Sequence, residues 1–161
     1  MSDYILNCKG VCKSFGGVHA LQNVDLKVKR GEVHCLAGEN GCGKSTIIKA
    51  ISGFQPQDSG TIEFDGKEYK ALNPSLSIDL GVQVIYQDLS IFPNLTVQEN
   101  LAINTVLSNK RKLYNHKEQR EIAKKVMKTL DLNLDLDDRV EQLPVASKQL
   151  IAIARALYAK A

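Results

Sequence analysis

No stretch of this chain approaches the ~20 consecutive apolar residues that a bilayer-spanning helix requires. The N-terminus also lacks the apolar region of a secretory signal. The expected location is the cytosol, or a membrane surface reached through another protein. Cysteine is scarce. Cys8, Cys12, Cys35 and Cys42 form no C-x-x-C pair, and no histidine cluster accompanies them. That argues against a structural zinc site and for reduced thiols. Tryptophan is absent, and the net charge of +3 gives no argument for a nucleic-acid partner. Internal repeats and low-complexity segments are missing as well. What remains is 161 residues with 43% hydrophobic content, enough for one core, or one core with a small appendage.

The most informative stretch runs from Val33 to Ser52. It joins a short apolar run to the glycine-rich loop Gly38-Glu39-Asn40-Gly41-Cys42-Gly43-Lys44-Ser45-Thr46 and then to an apolar-periodic segment. The loop fits G-x-x-x-x-G-K-[ST], the phosphate-cradling Walker A pattern. Gly38, Gly41 and Gly43 lack a Cβ, so the backbone can turn sharply and aim successive N–H groups at one anion. A helix starting near Gly43 adds unpaired N–H groups and the positive end of its dipole. Lys44 is placed to reach terminal phosphates, and the Ser45 hydroxyl to complete the shell of a Mg²⁺ ion. Strand before and helix after are the context this motif demands, so the stretch reads as a nucleotide site. Cys42, inside the loop, is either a thiol shielded by nucleotide or an inert small residue.

The flanking segments suggest two sheets. Tyr4 to Ser14 reads as an edge or half-buried strand, broken at Phe15-Gly16-Gly17. Ala20-Leu21 and Val24 to Val28 alternate as a second strand with one wet face. Arg30-Gly31-Glu32 is a turn, and Val33 to Ala37 a buried strand that should open a parallel sheet. Ile47, Ile48, Ile51 and Phe54 give the next helix its apolar side, with Gly53 as C-cap. Thr61 to Phe64 is a strand, and Asp65-Gly66 a hairpin turn. Asn73-Pro74-Ser75 can open a short helix through Leu80. Val82 to Tyr86 has strand length and ends at Gln87. Thr96 suits the N-cap of a helix from Val97, beyond which the texture turns helical. Ile122, Val126 and Leu130 form one apolar stripe with Ala123 and Met127 beside it. Lysines and arginines from Lys110 to Lys128 crowd the same region, as a solvated face or as a contact for anionic headgroups or a partner protein. In the last segment Leu150, Ile151, Ala154 and Leu157 share one side. The expected division is a core part over 1–96, a helical subdomain over 97–146, and a helix over 147–161 returning to the core.

Taken in order, these motifs resemble the nucleotide-binding subunit of an ABC transporter over the whole length. Lys13-Ser14-Phe15-Gly16-Gly17 stands where that family places an aromatic residue against adenine, and Phe15 fits that role. Gln87, with Leu95-Thr96-Val97-Gln98-Glu99-Asn100 behind it, looks like the Q-loop, whose glutamine ligates Mg²⁺ and senses the attacking water. Leu143-Pro144-Val145-Ala146-Ser147, ahead of Ile153-Ala154-Arg155-Ala156-Leu157, occupies the place of the signature Leu-Ser-Gly-Gly-Gln, which binds the γ-phosphate held by an opposite subunit. It departs from that pattern. Pro144 supplies neither hydroxyl nor N–H, and Val145 and Ala146 put Cβ atoms where the backbone should approach closely. The composite site using this signature is therefore expected to be degenerate.

The resemblance implies an α/β P-loop NTPase core of the ABC ATPase type, with an antiparallel β-subdomain and a helical subdomain, ending before Walker B. Its cofactors would be ATP and Mg²⁺. Its partners would be transmembrane permease subunits and a second ATPase domain, at the cytoplasmic face of the membrane. Phe15 to Leu21, Gly31 to His34 and Gly38 to Gly41 look most like sugar-import ATPases that carry two ATPase halves in one polypeptide. The Walker B aspartate, catalytic glutamate and switch histidine of the family have no counterpart before Ala161. The chain is thus expected to bind ATP, to hydrolyse it negligibly and to self-associate. Other readings of the same residues are a non-transport ABC ATPase and a non-catalytic nucleotide-binding interaction module.

Overall fold

The structure is a computed structural model that describes residues 3–85, 91–108 and 115–158, with side chains within 104–108 excepted. It divides into two compact units, at residues 82 and 83.

In the first unit, Tyr4–Phe15 (β1) and Val18–Lys29 (β2) pair antiparallel through the Gly16-Gly17 turn. Both glycines have positive φ, at 50° and 89°, which lets the chain reverse in two residues. Ser59–Phe64 (β3) pairs with the other side of β1, and Lys67–Tyr69 (β4) pairs with β3 across the Asp65-Gly66 turn, giving the order β2-β1-β3-β4. Tyr4 to Ser14 was expected at an edge or half-buried. It lies inside the sheet, because both its neighbours bond to it. Leu6, Cys8, Val11, Ile62 and Phe64 share one buried cluster with Ile47, Ala50 and Ile51 of the helix Lys44–Ile51 (α1). Gly53, at φ 72°, follows that helix's last turn, and a Cβ there would stand 2.4 Å from the Asn73 backbone. Ile48 and Phe54, expected on the apolar side, are 37% and 63% exposed. The buried stripe runs through Ala50 instead, and Phe54 lies past the C-cap. Asn73 caps the helix Pro74–Asp79 (α2) by accepting from the Leu76 N–H at 2.9 Å.

The expected parallel sheet is not formed by the described residues. Val33 to Ala37 makes no ladder, and Val33 is 98% exposed. The reason is that an apolar run becomes a strand only where its N–H and C=O groups meet a neighbouring backbone. Residues 82–85 are likewise outside any ladder, and Tyr86 lies outside the described residues.

The second unit is helical, with Val97–Ser108 (α3), His116–Thr129 (α4) and Val145–Tyr158 (α5). Val97 and Leu101, Ala123 and Val126, and Ile151 and Ala154 meet in one core with Leu136 and Val140. Thr96, where the sequence texture changes, therefore belongs to this unit, and α5 packs into its core. On α5 the buried stripe is offset from the expected one. Leu150 and Leu157 are 43% and 54% exposed, whereas Ile151, Ala152 and Ala154 are buried. Thr96 and Glu99 form a capping box: the Thr96 N–H donates to Glu99 at 2.8 Å and the Glu99 N–H to Thr96 Oγ1 at 3.3 Å. The carboxamide of Asn100, fully buried, accepts from the Phe92 N–H and donates to the Phe92 carbonyl, both at 2.9 Å. That fixes the turn leading into α3. Buried Gln98 accepts from Arg120, which forks onto Asp137 at 2.7 and 3.0 Å. The lysines of α4, Lys117, Lys124, Lys125 and Lys128, lie on its exposed face, and Arg120 is half-buried. Lys110, Arg111 and Lys112 fall outside the described residues.

Candidate nucleotide site

The phosphate loop is built by left-handed backbone at its glycines. Gly41 and Gly43 have φ of 87° and 91°, and Gly38 has 152°. Gly43 immediately precedes α1 and is itself buried. A Cβ on it would stand 2.6 Å from the Ala20 carbonyl oxygen and 2.8 Å from Leu21 Cδ2, so only glycine lets the loop sit down on β2. At Gly38 a Cβ would lie 2.6 Å from Cys42 Sγ. The Ile47 N–H bonds back to the Gly43 carbonyl at 3.0 Å, which starts the helix there. The amides of Lys44, Ser45 and Thr46 belong to the first turn, where an α-helix offers no internal acceptor.

The Lys44 ammonium folds over the loop. It donates to the carbonyls of Gly38 at 2.7 Å and Glu39 at 2.6 Å, and lies 3.5 Å from Cys42 Sγ. A cation is therefore held against the loop by two of its backbone carbonyls. Ser45 is exposed beside it, and Glu39, Asn40, Gly41 and Cys42 form the exposed rim. This donor set fits a polyphosphate: first-turn N–H groups, a helix dipole and one ammonium. The eight-residue α1 carries no acidic residue in its first turn to oppose an anion.

The aromatic candidate lies at the same end of the sheet. β2 pairs Leu21 with Lys13, His19 with Ser14 and Val18 with Phe15. Since Gly43 rests on Ala20 and Leu21, the β1–β2 turn and the phosphate loop share one edge of the first unit. Phe15 is 41% exposed, and the Lys13 ammonium stands 5.6 Å from its ring centroid. Asp58 holds the approach to Phe15, with its carboxylate 2.7 Å from both Lys13 Nζ and the Ser14 N–H. Those two contacts keep the Asp58 carboxyl below the usual carboxylate range, the Lys13 bond contributing most. Asp58 has no part in the site as read from sequence alone. It stands 45 positions from Lys13, and no local signal connects the two.

Gln87 lies outside the described residues. In the second unit Leu143 is half-buried, Pro144 accepts the Lys148 N–H at 3.1 Å, and Val145, Ala146 and Ser147 form the first turn of α5. Val145 is 65% exposed, its side chain standing where a glycine would leave backbone bare. Cys8, by contrast with Cys42, is fully buried in the core, and burial, aided by Asp25, pushes its thiol up to about 12.

Comparison with known proteins decides the family: residues 21–161 match the family described as ABC transporter. The chain belongs to that family. Among relatives of this cassette, the D-allose import ATP-binding protein AlsA of Escherichia coli (strain K12) is 40% identical over 98% of the chain and 31% of its own length. The ribose import ATP-binding protein RbsA of Bacillus licheniformis is 38% identical over 97% of the chain and 32% of its own length. The cassette thus spans about 31% of the length of the first of these curated relatives. Among solved structures, the ADP conformation of MJ1267, an ATP-binding cassette of an ABC transporter, matches with a TM-score of 0.85 at 30% identity, covering 98% of this chain and 66% of that one. A dimeric post-hydrolysis state of the cassette MJ0796, bound to ADP and Pi, matches with a TM-score of 0.74 at 28% identity, covering 94% and 68%. The α/β P-loop fold of the ABC ATPase type is thereby established, with its antiparallel sheet and helical unit. No helix among the described residues is long and apolar enough to cross a membrane.

Proposed function

We propose that the chain supplies the ATP-binding part of an ABC importer ATPase that drives uptake of a carbohydrate. The observation that carries this reading is the seating of buried Gly43 on Ala20. It supports a placement of the cradle Gly38–Thr46 at the sheet edge that also carries the exposed Phe15. In this reading the adenine stacks on Phe15, a contact worth roughly 1–3 kcal/mol that depends little on which base is present. The amides from Gly41 to Thr46 hold the phosphates. Lys44 leaves its two loop carbonyls and takes the terminal phosphoryl oxygens, one charge-assisted contact replacing another. Ser45 and Gln87 would ligate Mg²⁺, which when bound neutralises developing phosphate charge.

Names of the relatives support the importer and the sugar, being import ATP-binding proteins for D-allose and ribose. A dimeric relative supports pairing with a second ATPase domain. The partners proposed are therefore that domain and a transmembrane permease at the cytoplasmic face. Leu143–Ser147 would face the second domain's ATP as a weakened signature, because Pro144 has no N–H to offer. The run Val33 to Ala37, exposed except at Leu36 and outside any ladder, favours self-association of the chain.

Purification of the intact protein from solubilised membranes tests this. It is expected to retain permease subunits and to show carbohydrate-stimulated ATP turnover in their presence. Retention of ribosomes or DNA in place of permease would overturn the transport reading and favour a non-transport ABC ATPase.

A further inference from the structure

Asp58 lies in the connection between α1 and β3, away from the phosphate loop, yet its bonds converge on the residues that carry Phe15. The ladder between β1 and β3 runs from the Leu6–Phe64 pair to the Cys12–Ser59 pair and stops there. Two residues farther along β1, Ser14 directs its N–H to the same side, since alternate residues of a strand repeat their orientation. Asp58 Oδ2 accepts that N–H at 2.7 Å, while Oδ1 takes the Lys13 ammonium at 2.7 Å. The Asp58 N–H itself bonds the Cys12 carbonyl at 2.9 Å. The carboxylate thus adds a rung to a ladder whose strand has run out. On the opposite side Ser14 Oγ lies 2.9 Å from His19 Nδ1 of β2. Residues 13 and 14 are gripped from both flanks, and the Lys13 ammonium is held against the Phe15 ring at 5.6 Å.

We propose that Asp58 is a positioning residue for nucleotide recognition, fixing Phe15 as a preformed platform for the base through Ser14 and Lys13. This rests on the reading of Phe15 as the adenine platform. It adds a residue that touches no nucleotide and acts through two others. A residue of purely structural importance would weaken every ligand alike when lost. A positioning residue for the base weakens only ligands that possess one.

The test is equilibrium binding of Mg-ATP and of inorganic triphosphate to the chain and to Asp58→Ala, Asp58→Asn and Phe15→Ala. Asp58→Ala is expected to weaken ATP roughly threefold to tenfold, a part of the stacking contribution, and to leave triphosphate unchanged. Asp58→Asn keeps an acceptor for Ser14 without the charge for Lys13, so it is expected to lose less. It also serves if the alanine variant fails to fold. Phe15→Ala should lower the ATP-to-triphosphate ratio further than either. If Phe15→Ala lowers that ratio and neither Asp58 variant does, or if both ligands weaken equally in the Asp58 variants, Asp58 has no positioning role. If Phe15→Ala leaves the ratio unchanged, the platform itself is misplaced, and the proposal falls with it.

Discussion

Gly43 shows how one missing methyl group can set a site. Its φ of 91° and the 2.6 Å approach to Ala20 mean that alanine there meets two obstacles at once, a left-handed backbone and a backbone oxygen that cannot step aside. Gly41 has nearly the same φ, but nothing lies within 4 Å of its Cβ position. Alanine at Gly41 should therefore cost only the conformational strain, about 1 kcal/mol. Gly43→Ala should cost about 1–3 kcal/mol more and should also part the phosphate loop from β2. Urea midpoints of the two variants, measured side by side, check the difference. Equal midpoints would mean that Gly43 is not seated on Ala20. The motif spacing made the glycines legible in the sequence. Which of them bears tertiary contact was not, because that depends on Ala20 of β2, well before the loop in the chain.

Among the elements, the segments that carry their own ends were the most readable. Asn73 and Thr96 cap α2 and α3 with local hydrogen bonds, and Asp65-Gly66 turns with positive φ at both residues. Signals of this kind involve residues three or four apart, so a sequence displays them. Val33 to Ala37 was misread for the opposite reason: its composition suits a strand, but strand formation depends on a partner. Of the expected α5 stripe, Ile151 and Ala154 are buried, but Leu150 and Leu157 are exposed and Ala152 is buried in addition. Apolar residues occupy several faces of that helix, and only packing against α3 and α4 selects Ala152 over Leu150 and Leu157. Asn100 illustrates a polar residue whose purpose sequence alone leaves open. Its carboxamide satisfies both backbone groups of Phe92 and also donates to the Thr96 carbonyl at 3.1 Å. Asn100→Ala is expected to destabilise the helical unit by about 1–3 kcal/mol, since the Phe92 N–H loses its partner, whereas the Phe92 and Thr96 carbonyls keep the Leu95 and Asn100 N–H groups. Amide hydrogen exchange should localise that loss to residues 91–96. Protection that stays unchanged there would contradict the assigned role.

For the molecule as a whole, the two units share an electrostatic pattern that makes stability depend on pH in one direction. Asp58 is held below its ordinary range chiefly by Lys13, Glu63 chiefly by Lys9, and Asp137 chiefly by Arg120. A carboxylate with a lower pKa folded than unfolded binds fewer protons when folded. Its stabilising contribution is thus complete above the ordinary carboxylate range, around pH 4, and is lost as pH falls through the lowered folded values. Melting temperature is expected to hold from neutrality to mildly acidic pH and to drop below it, with a shallower drop in Asp137→Asn. The Asp58 and Asp137 carboxylates are solvent-accessible, so added salt should reduce their part of the effect. At this scale the family was legible from motif order alone, whereas the Lys13–Asp58, Lys9–Glu63 and Arg120–Asp137 pairs were not, since each joins residues distant in sequence.

The central claim is that Gly38–Thr46 cradles the phosphates of ATP with Lys44 as its cation. It is tested most directly by the melting shift that Mg-ATP produces in the chain and in Lys44→Ala. At ligand near 100 times the dissociation constant, the wild-type chain should gain about 2.7 kcal/mol, and the variant should gain far less at the same concentration. An equal shift in both proteins would place the phosphates elsewhere and contradict the account.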